Sequence, residues 1–344
     1  MTDGRLTAED RLREEYETLL RSGGHAPRPP LTAEEVLAFR AALPEREREY
    51  FASNPLPNGS SKPFDHIAKD FQRTLREAGL PLPGPVLVEE YPHTALNAQA
   101  RAVNNGTLIL VNTGLTDLVH EIAKAHGLSL RVRTHEEITN TIRVVDTKDD
   151  LIRSRTADSA IASVVLAYLL RGDSRFCAKL PLDIGRSVEL AWLLTEATRR
   201  FVIAHEFAHL LEGHLSRPGQ VNCERLYHTR EQEFQADETG ALLCLRALQD
   251  PSDQMMTYIT VAGPLFFLAI DHLITRVRNE LDDIPQGLRL SNYPTSDERG
   301  AALRSMFQEI YGSSVLQIAD ACVYWLSWRE ENILTEADRL LRTR

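Results

Sequence analysis

Two short segments carry residue types that could bind a metal ion and activate water. His205, Glu206 and His209 form a His-Glu-x-x-His sequence, and Glu233 and Asp237 follow a few tens of residues downstream. Residues four apart share one face of a helix, so both imidazoles can reach the same metal ion. Glu206 then lies beside a metal-bound water. This pattern predicts a zinc ion that activates water for hydrolysis.

A catalytic zinc needs a third protein ligand and an open position. Glu233 meets this requirement, because a capping box beginning at Thr229 places it in the first turn of a second helix. Asp237 lies one turn further along that face, where it can accept the outer ring N–H of a ligand histidine. We therefore predict one Zn²⁺ ion per chain, held by His205, His209 and Glu233.

The sequence leaves alternatives to a catalytic site open. His214 follows Gly213, a predicted helix stop, and lies five residues from His209, off the ligand face, so a structural role is favoured. If the zinc were structural, His214 or Cys223 would have to complete a closed site. The second possibility is therefore a latent or regulatory zinc-binding interaction protein, in which either the zinc is structural or the N-terminal helices hold the peptidase latent. A highly specific enzyme that cleaves one host protein is a third possibility.

The composition argues against several classes of protein. The 39 basic and 49 acidic side chains give a formal charge of −10, and no run rich in lysine and arginine is present, which argues against nucleic-acid binding. The N-terminus is polar and acidic, without a secretory signal. The 4 cysteines are scattered, as in a reducing compartment. These features predict a cytoplasmic protein, whose oligomeric state is left open.

Two apolar runs, at 160–170 and 258–270, are the candidates for membrane-spanning segments. Each is shorter than the roughly 20 residues that a spanning helix needs, and charged residues flank both. We expect buried core helices, the second kinked at Pro264, and no integral membrane segment.

The hydrophobic pattern predicts an α+β fold that is predominantly helical. Strands are expected at 86–91, 96–103 and 107–112, followed by weaker strands at 128–133 and 142–145. Helices are expected at 114–126, 146–172 and 187–213, the last of which carries the His-Glu-x-x-His sequence. Paired helix signals separated by a proline-rich segment indicate a helical N-terminal region.

Three segments together resemble the gluzincin metallopeptidases, and more narrowly the family of the heat-shock protease HtpX and the CAAX prenyl proteases. The first comprises Asn97-Ala-Gln-Ala100 and the run from Ile109 to Leu118, similar to the strand and the Gly-Leu segment that precede the family's metal helix. The second is the metal set itself, with Asp237 at the position of the family's supporting acid. The third, Tyr293-Pro-Thr-Ser-Asp-Glu-Arg299, is similar to a His-Pro segment followed by an arginine, with Tyr293 in place of the histidine.

The resemblance implies a zinc-dependent endopeptidase with Glu206 as general base. It also implies that Asn97, Ala98, Gln99 and Ala100 form an edge strand that binds an extended protein or peptide substrate. Tyr293 and Arg299 are candidates for stabilising the oxyanion.

The same resemblance sets the expected domain organisation. We expect a helical N-terminal region at 1–85 and a zincin-like metallopeptidase domain at 86–344, built on a small β-sheet, an active-site helix and a Glu-bearing helix. The segment between the Gly-Leu run and the zinc helix is longer than in the family, which predicts a mainly helical insertion at about 127–186.

Overall fold

Helices form most of the chain that the computed structural model describes, which comprises residues 7–25, 64–103, 106–129, 131–133, 141–143, 148–177, 186–215, 228–248, 252–282 and 293–343. The elements before the zinc-ligand segment are α1 (Ala8–Ser22), α2 (Asp65–Glu77), β1 (Val86–Tyr91), β2 (Ala98–Val103), β3 (Gly106–Asn112), α3 (Thr113–Ser129), β4 (Arg131–Arg133), β5 (Thr141–Arg143), α4 (Lys148–Arg171) and a short 3₁₀ helix (Ser174–Phe176). The remaining elements are α5 (Arg186–Leu211), α6 (Arg230–Arg246), α7 (Gln254–Asp282), α8 (Ser296–Tyr311), α9 (Ser313–Trp328) and α10 (Glu330–Arg342). This composition agrees with the predicted α+β class.

A three-stranded sheet of order β1-β3-β2 lies between helices. β1 runs parallel to β3 and β2 antiparallel to it, which leaves β2 at an edge of this sheet. Side chains alternate between the faces: Ile109 and Val111 join the main core with α2, α3 and α5, whereas Leu108 and Leu110 pack with Leu12 of α1. Because both faces of the central strand β3 are covered, its sequence is a nearly continuous apolar run.

The helices that follow the sheet share its main core. α5 packs against α3, α6 and α7, and α7 also packs against α8 and α9. α4, within the predicted insertion, packs against α3 and α10 and contributes Ile161, Val164 and Val165 to the main core. The insertion at 127–186 and the boundary at residue 85 stay predictions. The second predicted N-terminal helix, beginning near residue 32, and the turn at 104–105 lie outside the described residues.

Helix α7 is longer than the apolar run from which it was predicted. It runs through Pro264, and by length and composition alone its segment Gln254–Leu281 would be long enough to cross a membrane, which corrects the argument that this region is too short. Of its most apolar window, 67% is buried inside the protein, as in a core helix. The absence of a membrane segment therefore stays a prediction.

A buried histidine should make stability depend on pH. His126 of α3 is fully buried beside Phe266, and its Nε2 hydrogen-bonds the carbonyl oxygen of Cys322. Burial lowers the pKa of His126 to about 4. In the unfolded chain the imidazole of His126 has a pKa of about 6.5. The free energy of unfolding should therefore decrease as the pH falls from that value to the pKa of the folded protein.

At about 1.4 kcal/mol for each pKa unit, this loss is on the order of 3 kcal/mol. Urea unfolding of the wild type and of His126→Leu at several pH values would measure it. The free energy of unfolding of the wild type should fall relative to that of the variant between pH 7 and pH 4, since the variant lacks the titrating group. Parallel pH dependences would contradict this assignment.

Candidate metal centre

Helix α5 presents two histidines to one point. His205 and His209 are one turn apart and buried, and their Nε2 atoms lie 3.1 Å from each other. The carboxylate of Glu233 completes the cluster: its Oε2 is 3.5 Å from Nε2 of His205, and its Oε1 is 3.6 Å from Nε2 of His209. A tetrahedral zinc with ordinary bond lengths separates its ligand atoms by roughly 3.4 Å. The three side chains therefore have the spacing and chemistry of a zinc site.

Helix α6 supplies Glu233 because of how it begins. The hydroxyl of Thr229 accepts from the backbone N–H of Gln232, whose side chain accepts from the N–H of Thr229 at 2.8 Å, forming the predicted capping box. This cap fixes the first turn of α6, in which Glu233 is buried. The third ligand is thus held by local sequence as well as by helix packing.

The outer face of His205 contacts Asp237, as the spacing predicted. Nδ1 of His205 lies 2.9 Å from Oδ1 of Asp237, at ion-pair distance but outside hydrogen-bond angles. Arg299 of α8 holds Asp237 from the other side, with Nε and Nη2 each donating to a carboxylate oxygen at 2.6 Å. Both residues are buried, and although burial disfavours its charge, Asp237 keeps the pKa of Arg299 above its usual range.

This arrangement changes the interpretation of Arg299. The sequence placed it among the catalytic residues, but its guanidinium is engaged by Asp237, and Nη1 lies 3.6 Å from Oε2 of Glu233. A donor held on two carboxylates is poorly placed to reach a substrate oxyanion as well. The geometry favours a positioning role, in which Arg299 fixes Asp237 and, through it, the ring of His205.

Glu206 and Tyr293 both face the metal cluster. Glu206 is buried, and its Oε2 accepts a hydrogen bond of 2.6 Å from the backbone N–H of Ala100 on β2. Burial raises the pKa of Glu206. The hydroxyl of Tyr293 donates to Oε2 of Glu233 at 2.8 Å. The predicted oxyanion donor, Tyr293, therefore contacts a metal-ligand side chain, and the predicted base, Glu206, lines the same cleft.

The predicted substrate strand lies against the active-site helix. Asn97 precedes β2, and its carbonyl oxygen accepts from the N–H of Asn112, whereas the N–H of Ala100 points away from β3 toward Glu206. Ala98 and Ala100 are buried, while Gln99 is half-buried. These four residues line a cleft of about 720 Å³ that also contains the metal cluster.

Two further histidines surround His209, and sequence analysis identified only one of them. Gly213 adopts a positive φ of 70°, which turns the chain back, so that Nδ1 of His214 lies 3.0 Å from Nδ1 of His209. His228 stacks on the ring of His209 with a centroid distance of 3.8 Å and lines the cleft. The only sequence signal for His228 is its position directly before the Thr229 cap. Cys223 lies outside the described residues.

Gly240 allows α6 to approach the metal helix closely. A Cβ atom at this position would lie 2.9 Å from the backbone nitrogen of His205 and 3.0 Å from its Cα, distances that side chains do not tolerate. Gly240→Ala should therefore push the two helices apart. We expect zinc affinity to fall by about tenfold, comparable to the loss of a residue that orients a ligand.

Competition with a chromogenic chelator would measure this change in affinity. Glu238→Ala, an exposed position on the same helix, is the matched control and should bind zinc like the wild type. The alanine at position 240 raises helix propensity by about 1 kcal/mol, so weaker zinc binding cannot be ascribed to a weaker helix. Unchanged affinity would show that the contact of α6 with α5 at this point does not position the ligands.

A match to a known protein family covers part of this site. Residues 61–221 match the family model described as Peptidase family M48. The matched span contains β2 and the histidines of α5 but ends before Glu233, so the third ligand rests on the structure. No curated protein and no solved structure shows a significant match to the chain. The family match and the cluster of His205, His209 and Glu233 together support a zinc metallopeptidase family.

Proposed function

We propose that the protein is a zinc-dependent endopeptidase of the gluzincin type, with a zincin-like core. The observation that carries this proposal is the convergence of three ligand atoms from α5 and α6 in a cleft that the buried carboxylate of Glu206 also lines. Two histidines and a glutamate leave an open coordination position, as in catalytic zinc sites. A zinc ion held there would polarise a scissile carbonyl and lower the pKa of water.

Glu206 is the proposed general base. It takes a proton from the attacking water and transfers it to the leaving amine, which requires a carboxylate whose pKa lies closer to neutrality than usual. Burial shifts the pKa of Glu206 in this direction. The hydrogen bond from Ala100 at 2.6 Å fixes one carboxylate oxygen, which orients the other.

Tyr293 is the proposed donor to the developing oxyanion. Burial, with the nearby carboxylate of Glu233, raises the pKa of Tyr293, so the hydroxyl keeps its proton and can donate it in a hydrogen bond. Its present acceptor is a ligand carboxylate, which places the hydroxyl at the metal cluster. Arg299 and Asp237 are proposed to position His205. Because the guanidinium and the carboxylate bind each other, neither group is available to a substrate.

The proposed substrate is an extended protein or peptide segment. β2 lies at the edge of its sheet, and the N–H of Ala100 points away from β3, toward Glu206. An extended chain can pair with such an edge through backbone hydrogen bonds. The narrower likeness to HtpX and the CAAX prenyl proteases is supported by Asn97-Ala-Gln-Ala100 lying beside Glu206.

A cytoplasmic location also belongs to the proposal. Three cysteines in the described part of the chain, Cys177, Cys244 and Cys322, are free and buried, as expected for reduced thiols. The rival function, a latent or regulatory zinc-binding protein, would share the metal cluster and lack hydrolysis.

Removal of the metal tests the proposed function. Purified protein is incubated with a mixture of unfolded cellular proteins, and new N-termini are labelled and identified. Dialysis against a chelator should abolish cleavage, since the open-site metal supplies most of the activation of water. One equivalent of Zn²⁺ should then restore it. Cleavage that persists in protein shown by elemental analysis to lack zinc would contradict the proposal.

A further inference from the structure

Two aromatic rings extend from the metal cluster along one side of the cleft. Phe201 lies one turn before His205 on α5, with ring centroids 6.2 Å apart. Phe267 of α7 lies 6.1 Å from Phe201 and is half-buried where it lines the cleft, whereas Phe201 is only 1% exposed. Phe267 is therefore the aromatic ring of this wall that a ligand in the cleft can reach.

An acidic side chain ends this wall. Asp271 lies one turn beyond Phe267 on α7, faces the same cleft, and is half-buried. Within the described part of the chain, its carboxylate has one hydrogen-bond partner, the hydroxyl of Ser296. Ser296 is the first residue of α8 and lies three residues after Tyr293. Since Tyr293 donates a hydrogen bond to Glu233, this end of the wall is connected to the metal cluster.

Neither Arg299 nor His272 pairs with Asp271. Arg299 lines the cleft but donates both of its short hydrogen bonds to Asp237. His272, the next residue on α7, contacts Asp297 at 2.9 Å and Glu330 at 3.2 Å instead. Among the described residues, no ion pair to Asp271 forms. The carboxylate at the end of this wall is therefore held by a neutral hydroxyl.

We propose that this wall is a substrate subsite for a lysine or arginine side chain, with Asp271 as its charge partner. The ring of Phe267 contacts the aliphatic stem, and the carboxylate of Asp271 pairs with the cationic head. The hydroxyl of Ser296 fixes the carboxylate without neutralising it. This inference rests on the proposed function and adds to it a preference for a basic residue near the scissile bond.

Binding to a cleavage-deficient form tests the subsite directly. Zinc-loaded Glu206→Gln protein is titrated with a set of fluorescent peptides in which each position in turn carries arginine, citrulline or glutamate. Citrulline has the shape of arginine without its charge. At one position, arginine should bind about tenfold or more tightly than citrulline, the equivalent of roughly 1.4 kcal/mol. Asp271→Asn, made in the same background, should reduce this ratio to near one.

Matched variants separate charge from shape. Asp338→Asn, on the exposed face of α10, removes one negative charge far along the chain from the cleft and should keep the preference for arginine. Asp271→Arg should favour glutamate at the same position. Zinc content is measured for each protein, so that a collapsed site is recognised. No position that prefers arginine over citrulline, or a preference that survives Asp271→Asn, would overturn the subsite.

Parallel cleavage assays distinguish this inference from the proposed function. Wild-type protein is incubated with the same peptides. Cleavage without a preference for arginine, together with equal binding of arginine and citrulline, overturns the subsite alone. Zinc-loaded protein that binds the arginine peptides selectively but cleaves none of them supports the subsite and contradicts the peptidase.

Discussion

Replacement of Glu206 by glutamine is expected to abolish hydrolysis while zinc stays bound. Glutamine has the size of glutamate, and its amide oxygen can accept the hydrogen bond from Ala100 that now ends at Oε2. It cannot take a proton from water. General base catalysis contributes about 10²- to 10⁴-fold, so cleavage should fall by at least a factor of about 10³ if the same residue also serves the leaving amine.

Two measurements on one preparation decide this prediction. Elemental analysis should give one zinc per chain for wild type and variant alike, and the N-terminal labelling assay should give cleavage for the wild type alone. Glu231→Gln, an exposed glutamate on α6, is the matched control and should cleave normally. Equal cleavage by the Glu206→Gln protein would remove Glu206 from the mechanism. A wild type that binds zinc and cleaves nothing would favour the regulatory alternative.

The local parts of the site could be predicted because their causes are local. Helical periodicity alone places His205 and His209 on one face, and the capping box at Thr229 alone starts the helix that carries Glu233. The apolar runs at 86–91 and 107–112 likewise predicted the strands β1 and β3. These features depend on residues within one or two turns, which a sequence displays directly.

The parts that sequence analysis missed depend on contacts between distant elements. His228 stacks on His209 although the two residues are far apart in the chain and His209 lies on another element. Asp271 joins the cleft only because α7 packs along α5. No spacing rule connects residues 205 and 271, so their proximity required coordinates.

Arg299 shows that a sequence can place a residue in the site without identifying its partner. Its position after the cap at Thr295 correctly predicted the first turns of α8, facing the cleft. Its acceptor could not be predicted, because Asp237 and a substrate oxyanion are both plausible anions for a buried guanidinium. The two hydrogen bonds of 2.6 Å to Asp237 favour the carboxylate. Breaking such a buried pair by removing one partner typically costs about 3–5 kcal/mol, which is consistent with a structural task.

Replacement of Glu233 by alanine is expected to remove the metal, and with it the activity. Its carboxylate oxygens lie 3.5 Å and 3.6 Å from the two imidazole nitrogens, so the variant keeps two ligands and loses the third. Loss of an outer residue that orients a ligand costs about 10–100-fold in metal affinity, so loss of the ligand itself should cost more than 100-fold. Chelator competition would measure the affinity, and elemental analysis would measure the zinc that survives purification.

This variant tests the part of the site that the family match does not reach, since the match ends at residue 221. Glu231→Ala removes an exposed carboxylate from the same turn of α6 and should bind zinc with unchanged affinity. Glu233→Asp shortens the side chain by one methylene and should give an intermediate affinity, because the carboxylate remains but reaches less far. If Glu233→Ala retained stoichiometric zinc with undiminished affinity, the third ligand would have to come from another side chain of the cleft. His228, stacked on His209, would then be the first to examine.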